Sequence, residues 1–370
     1  MSITVRQISQ ESHSEFLNTT PAHVSFLQLP QWGAVKVGWK SESIGFFEKS
    51  TLVGVALVLY RPIPKLPQRS LAYIPEGPVL AHSEIDVSEW TSALISHVKS
   101  RGAFQIKMGP PVPLAQWSAE TIKAAIAAGN TSVLLGDLTP DQKFSDAQQL
   151  ISALHHLGWT QEKADGAGFG DVQPRFVFQV SLADRSADEI FASFNQLWRR
   201  NIRKADKAGV SVRFGDRSDL SAFHEIYVET AKRDGFTPRG PVYFERMWDA
   251  LGDHFTLHIA EYQGHVAAAT IMITVGPHAW YSYGASTTVD RDVRPSNALQ
   301  WHMITAAKTK GCATYDLRGI SNTLDPENHL FGLVTFKLGS GGFAQEYVGE
   351  WDFDIRKVWA RAFRFYQSRA

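Results

Sequence analysis

Two stretches decide the fold: Glu48-Lys-Ser-Thr-Leu-Val-Gly-Val-Ala56 and Glu261-Tyr-Gln-Gly-His-Val-Ala-Ala-Ala269. Glu48, Val53 and Ala56 match Glu261, Val266 and Ala269 at one constant offset, and both sets sit in a strand–turn–strand pattern. Downstream of the first copy a helix ends at Gly102 and a strand Phe104–Met108 follows; downstream of the second, Gly311 and a strand Ala313–Leu317 do likewise. The physical reading is two tandem copies of one α/β (α+β) unit. The predicted seam lies in the glycine-rich stretch 166–174, giving domains over 1–172 and 173–370.

Working outward, capped helices and apolar runs alternate. Asp86 with Glu89 predicts a helix stopping at Gly102, and Ser145 with Gln148 one ending near Gly158. Ser186 with Glu189 predicts a long helix ending at Gly209. Further helices are expected over Asp219–Gly235 and Ser296–Gly311. Strands are expected at Val53–Tyr60, Phe104–Met108, Phe176–Val180, Val266–Val275 and Trp280–Gly284.

Composition excludes several classes. The chain has 370 residues, 44% hydrophobic and 20% charged, and its 37 basic and 37 acidic residues cancel. That balance argues against a general nucleic-acid coat protein but leaves room for a local basic patch. One cysteine, Cys312, allows no internal disulfide and fits a reducing, cytoplasmic setting. Met1–Gln10 does not read as a signal peptide, and the apolar run Leu52–Tyr60 is too short to span a bilayer, so any membrane contact is peripheral. A phosphate loop ending in Lys-Ser/Thr, a dinucleotide fingerprint, a His-Glu-x-x-His helix and a Gly-x-Ser-x-Gly elbow are all missing, which argues against ATP, nicotinamide, zinc and serine-hydrolase chemistry.

Positive charge is concentrated instead. Arg199, Arg200, Arg203, Lys204 and Lys207, followed by Arg213, are spaced to share a broad helical face, with Ile190, Phe191, Phe194, Leu197 and Trp198 to bury the other side. A solvated face is the ordinary meaning of such a run; its unbalanced sign also suits a phosphate-rich partner. The C-terminal stretch 354–370 repeats the theme, with Arg356, Lys357, Arg361, Arg364 and Arg369 alternating with Val358, Trp359, Ala362, Phe363, Phe365 and Tyr366. It reads as a basic amphipathic helix suited to an anionic membrane surface or an RNA backbone, or as a terminal helix docked on the core and packing back on the first domain; both hold at once if the aromatics pack while the arginines stay wet. Two glycine-rich clusters, Asp234-Gly-Phe-Thr-Pro-Arg-Gly-Pro-Val-Tyr243 and Phe336-Lys-Leu-Gly-Ser-Gly-Gly-Phe343, allow close backbone approach to an anion, with Arg239 as a bidentate clamp and Lys337 as a point charge.

At these residues the chain resembles the FemABX family of peptidoglycan aminoacyltransferases. The resemblance rests on Phe26-Leu-Gln-Leu-Pro-Gln-Trp32 leading to Lys36, Tyr73-Ile-Pro-Glu-Gly-Pro78, Arg200-Asn-Ile-Arg-Lys-Ala-Asp-Lys-Ala-Gly-Val210, Tyr281-Ser-Tyr-Gly-Ala-Ser286 with Asn297 to Trp301, Tyr315-Asp-Leu-Arg-Gly319 and Gly332 to Gly342. It implies two tandem GNAT-like (acyl-CoA N-acyltransferase-like) domains without a coiled-coil arm. It implies no cofactor, a monomer, and transfer of glycine, alanine or serine from aminoacyl-tRNA to the stem-peptide amine of lipid II or a UDP-MurNAc-peptide, with peripheral contact to the inner membrane face. Under the resemblance, Lys36 and Arg239 hold the acceptor's diphosphate, and Tyr243 and Tyr283 line that cleft. Lys337, with Phe336 beside it, serves the carbonyl under attack, and Arg199, Arg200, Arg203, Lys204 and Lys207 hold tRNA. The family's Lys-x-Asp-Pro strand reads Lys107-Met-Gly-Pro110 here and lacks the carboxylate, Ser340 replaces an aromatic and Glu76 an arginine. Two other readings stay open: an acyltransferase of the same fold acting on another envelope substrate, and a non-catalytic RNA-binding module built on the Arg199–Arg213 face.

Overall fold

A computed structural model describes residues 2–64, 66–81, 85–129, 134–161 and 172–367. Residues 166–171 of the predicted seam lie outside the described residues. The chain divides into two units that interleave in sequence: residues 1–115, 142–175 and 346–370 form the first, residues 116–141 and 176–345 the second. A single boundary at 172/173 therefore does not describe it, because strand pairing sets the division. Trp351–Asp354, late in the chain, pairs antiparallel with Ala103–Met108 and so belongs to the first unit.

In the first unit the sheet runs Ile3–Gln7, Lys40–Glu48, Thr51–Ile63, Leu66–Ile74, Ala103–Met108, Trp351–Asp354. Neighbours are antiparallel except Leu66–Ile74 and Ala103–Met108, which are parallel and joined through the helix Val87–Ser100. Asp86 caps that helix by accepting from the Ser88 and Glu89 amides, and Gly102 closes it at φ +88°. Trp90, Leu94 and Val98 on its inner face pack against Ile44, Phe46, Val58, Ile106 and Trp351.

The second unit repeats this wiring. Ser211–Gly215, Phe255–Tyr262, His265–Val275 and His278–Ser286 are successively antiparallel, Thr314–Gly319 is parallel to the last, and Phe176–Ser181 pairs antiparallel with Thr314–Gly319 as the sixth of the sheet's nine strands. The connecting helix is Pro295–Thr309. The two hairpins match in detail: Glu48↔Thr51 and Tyr262↔His265 each close a two-residue loop, and a bulge follows one pair further along in both. The repeat is therefore offset by one residue more than Glu48/Glu261 suggested. That one-residue slip exchanges the faces of the strands, so similarity read from three side chains mis-set the register while finding the right turn.

Three helix expectations change. The stretch from Ser186 to Gly209 is two helices, Ala187–Ser193 and Gln196–Ala208. The capping box of Ser186 and Glu189 forms as read, but Phe194 turns extended and Asn195 starts a second helix by accepting from the Trp198 amide at 2.8 Å. Phe194 is buried there against Phe191, Trp198 and Trp301, so packing outweighs helix continuity. Ser145 is the first helical residue of Ser145–His156 rather than its cap. Asp219 does not cap Leu220–Asp234; with Asp216 it closes a short 3₁₀ turn instead. Among the described residues no helix exceeds 15 residues, and none is long and apolar enough to cross a membrane.

Candidate active site

In the second unit the parallel pairing of His278–Ser286 with Thr314–Gly319 covers only His278↔Thr314, Ala279↔Tyr315 and Trp280↔Asp316. Beyond Asp316 the two strands part. Arg318 adopts a left-handed φ of +62°, which is costly for a side-chain-bearing residue. Its amide donates to Asp316 Oδ1 at 2.5 Å, which holds the turn. The turn aims two carbonyls at one cation: Lys337 Nζ donates to Arg318 O at 3.2 Å and to Gly319 O. Lys337, on the helix Phe331–Leu338, is 3% exposed. Burial drives its pKa down to about 7; the carboxylate of Asp316 pulls the other way and Arg318 adds to the depression. Asp316 is itself buried. Desolvation alone would raise its pKa, but His278 at 3.5 Å, Arg318 and the Gln179 amide at 3.0 Å outweigh it and hold the carboxyl below its ordinary value. Asp316 was quoted in a motif but given no role by sequence reasoning; the signal available was an aspartate in a loop-entering position, whose side chain can accept from the amide two residues on in an Asx-type turn.

The glycines after Lys337 serve the protein rather than a ligand. A Cβ at Gly339 would collide with the Trp198 indole, and at Gly341 and Gly342 with the carbonyls of Ser193 and Gln179. Phe336 packs on Trp198 with ring centres 4.9 Å apart, and its carbonyl accepts from Trp198 Nε1 at 2.8 Å. Phe336 thus ties the Lys337 helix to Gln196–Ala208. Ser340 is buried and donates to Lys337 O at 2.8 Å.

On Gln196–Ala208, Trp198, Ile202 and Ala205 are buried while Arg200, Arg203, Lys204 and Lys207 are exposed. None of those four forms an ion pair among the described residues. Arg203 stacks over Phe191 at 5.4 Å. Arg199 differs: Nη1 donates to Ala192 O at 2.6 Å and Phe194 O at 2.7 Å, closing the preceding helix. Arg213 is neutralised by Asp219 and Glu261, both at 2.8 Å, and leaves the run.

A second group forms where Gly235, at φ +77°, ends one helix and Pro241 starts the next, Pro241–Leu251. Arg239 is exposed on this loop, with its guanidinium 5.4 Å from the Tyr243 ring. Its carbonyl lies 3.0 Å from His224 Nε2. Tyr243 and Tyr283 share a hydroxyl–hydroxyl hydrogen bond of 3.1 Å, and Phe244 and Tyr227 wall the pair. Burial and the neighbouring Tyr283 push the Tyr243 phenol well up, so it stays a neutral donor. The structure therefore brings Arg239, Tyr243 and Tyr283 together in the second unit; Lys36, which the resemblance grouped with them, lies in the first.

In the first unit Lys36 follows the short helix Trp32–Val35, with its ammonium over the Trp32 ring at 5.6 Å. It lines a cavity of about 160 Å³ with Trp39, Arg61, Tyr73, Lys107 and Asp352 among the walls. Gln28 of the opening motif receives the Leu57 amide at 2.9 Å and donates to Pro75 O at 2.6 Å, which locks the 73–78 stretch in place. Glu76, in the arginine's usual place, accepts from Ser25 Oγ.

Comparison with known proteins follows this geometry. The model of the FemAB family matches residues 8–265 and 261–368. The chain belongs to the FemAB family. The lipid II:glycine glycyltransferase of Staphylococcus aureus (strain MRSA252) is 26% identical, over 95% of this chain and 92% of its own length. The crystal structure of FemX superposes with a TM-score of 0.79 at 24% identity, covering 97% of this chain and 99% of the other. A tandem GNAT protein from the clavulanic acid biosynthesis pathway gives 0.52 at 10% identity over 96% and 99%. The fold is thus a tandem pair of GNAT-like units: the internal repeat implied the duplication, and the family resemblance the GNAT-like unit.

Proposed function

We propose that this protein is an aminoacyltransferase that moves an amino acid from aminoacyl-tRNA to the stem-peptide amine of a lipid-linked peptidoglycan precursor. The observation that carries the reading is the buried ammonium of Lys337, aimed by two carbonyls at the place where the strands part. The Staphylococcus relatives, named for glycine and lipid II, support glycine among the small amino acids and lipid II over the UDP-linked acceptor.

The chemistry asks little of a cofactor. The donor ester is already activated. The neutral amine attacks its carbonyl, a C–N bond forms, and negative charge appears on the carbonyl oxygen. The C–O bond then breaks, and the proton shed by the amine returns to the departing ribose oxygen. Lys337 neutralises the oxyanion in a dry setting, where such a donor is worth most. Asp316 acts through the Arg318 turn as a positioning residue and keeps enough proton affinity at Lys337 for it to donate. Arg239 grips the diphosphate, and Tyr243 and Tyr283 orient what is attached to it. The exposed Arg200, Arg203, Lys204 and Lys207 take tRNA phosphates, on a helix that Trp198 fastens to Phe336 beside the reacting lysine.

The test is turnover by the purified chain with labelled glycyl-tRNA and lipid II. Label transfer that ribonuclease pre-treatment abolishes supports the reading. Transfer from an acyl-CoA instead would point to another acyltransferase, and tRNA binding without product to an RNA-binding module.

A further inference from the structure

The parallel strand pair of the first unit, Leu66–Ile74 and Ala103–Met108, ends at a cavity that the acyl-transfer chemistry does not use. The chain just beyond both strands builds its walls: residues 78–81 follow the first strand and residues 110–113 the second. The connecting helix Val87–Ser100 opens onto it with Asp86, Val87 and Trp90, and Asp146, Leu150 and Ala153 of the helix Ser145–His156 close another side. The volume is about 840 Å³, room for a small organic ligand. Open α/β sheets collect ligands at the carboxyl ends of their parallel strands, and in the second unit the corresponding strand end is where Lys337 stands.

These walls accept hydrogen bonds and hardly donate them. Pro21, Pro78, Pro110, Pro111 and Pro113 have no N–H to offer. The Val112 amide among them donates to Pro110 O at 2.8 Å, and the Ala81 amide to Val53 O at 2.9 Å. At the start of the helix, where a phosphate would seek free amides, Ser88 and Glu89 already donate to Asp86 Oδ1. Hydrogen bonds from the Ser88 hydroxyl and from the Glu89 and Ser88 amides hold the Asp86 carboxyl below its ordinary value, so it stays ionised. Asp86 and Asp146 are both exposed at the cavity, and among its described lining residues no lysine or arginine offsets them. Leu80, Val87, Trp90 and Leu150 give the remainder an apolar surface.

We propose that this cavity is a binding site for a primary ammonium group carried on an aliphatic chain, with the carboxylates of Asp86 and Asp146 taking the ammonium and Leu80, Val87 and Leu150 the chain. An ammonium has three donors and no acceptor, the reverse of these walls, and its bonds to carboxylates are of the strong, charge-assisted kind. A phosphate or carboxylate ligand meets like charge and finds the helix amides taken. The site lies apart from the residues assigned to acyl transfer, so the proposal does not rest on that reading.

The test is a titration of the isotope-labelled full chain, followed by its amide spectrum, with hexylamine, hexanol, hexanoate and methylamine. Hexylamine is expected to shift the amides of residues 79–81, 85–90 and 146–153 saturably. Hexanol, without the charge, should bind at least about tenfold more weakly, methylamine, without the chain, likewise, and hexanoate should leave these amides unmoved. Asp86→Asn preserves the helix cap, because asparagine caps as well as aspartate. Combined with Asp146→Asn it should weaken hexylamine at least about tenfold at an unchanged melting temperature. Equal affinity for hexylamine and hexanoate, shifts confined to other parts of the chain, or hexylamine binding undiminished in the double variant overturns the proposal. No tRNA or acceptor enters the titration, so an inactive chain that still binds hexylamine here refutes the catalytic reading and leaves this site standing.

Discussion

Each unit holds one lysine at its parallel strand pair, and the two are handled in opposite ways. Lys107, on Ala103–Met108, places Nζ 2.9 Å from the carboxylate of Asp352 on the neighbouring strand. Lys337 also has an aspartate in its surroundings, but Asp316 is engaged by the Arg318 amide, Gln179 and His278, and the lysine is left with carbonyls. A full negative charge in contact fixes a lysine as a cation. A carboxylate spent on holding the turn, with only neutral oxygens at the nitrogen, leaves burial to lower the pKa to about 7. The same fold thus makes a structural ion pair in one unit and a titratable donor in the other.

The largest expected effect tests that difference directly. Lys337→Met is expected to lower kcat about 10²- to 10³-fold, as loss of one oxyanion donor typically does, with acceptor affinity nearly unchanged. Lys107→Met is expected to cost less than about tenfold in kcat on the same scale. Steady-state kinetics on both variants decides the matter, and equal losses would break the comparison. Next in size is Arg239→Ala, expected to weaken acceptor binding about 10- to 100-fold, the worth of a charged hydrogen-bonding clamp, while kcat at saturation holds. Unchanged precursor affinity would remove Arg239 from the diphosphate.

A smaller effect concerns pH. Lys337 must be protonated to donate, so kcat is expected to fall as pH rises through about 7. Asp316→Asn keeps an oxygen for the Arg318 amide but removes the charge that raises the lysine's pKa, so the falling limb should move to lower pH, with about a tenfold loss at pH 7. An unmoved limb with a lower plateau would make Asp316 structural only.

How much of this was readable beforehand divides along physical lines. The tandem units and most strands follow from periodicity, glycine stops and turn residues, all local signals, whereas the pairing of Tyr243 with Tyr283 was implied only by the family resemblance. The interleaved division is not local: no feature of 346–370 announces that Trp351 pairs with Met108. The break at Phe194 was hidden because a capping box and a glycine stop frame the stretch so well, and only burial of Phe194 among three rings overrides them. The 339–342 glycines advertised close approach correctly, but sequence could not say that Trp198, Ser193 and Gln179 are what approaches. Asp316 escaped notice because its function lies in the backbone it holds.

The smallest effect sharpens the comparison by sign. Replacing Lys107 leaves the carboxylate of Asp352, only 12% exposed, with the Gln105 amide at 3.2 Å as a remaining donor. Lys107→Met should therefore lower stability, by about 1–3 kcal/mol. Replacing Lys337 removes a buried cation that the fold holds at a cost, so Lys337→Met should raise stability at neutral pH even as it slows turnover. The pH dependence follows from linkage. Below about pH 7 the lysine is charged in both folded and unfolded chains, and the cost of burying it is fully present. Between that pH and the ordinary lysine range the unfolded chain holds the proton and the folded one does not, so the parent gains stability as pH rises. The advantage of Lys337→Met over the parent should thus be greatest at acid pH and shrink toward pH 10. Thermal melts of the three proteins from pH 5 to pH 10 read that trend, and parallel curves would mean that the two lysines are held alike.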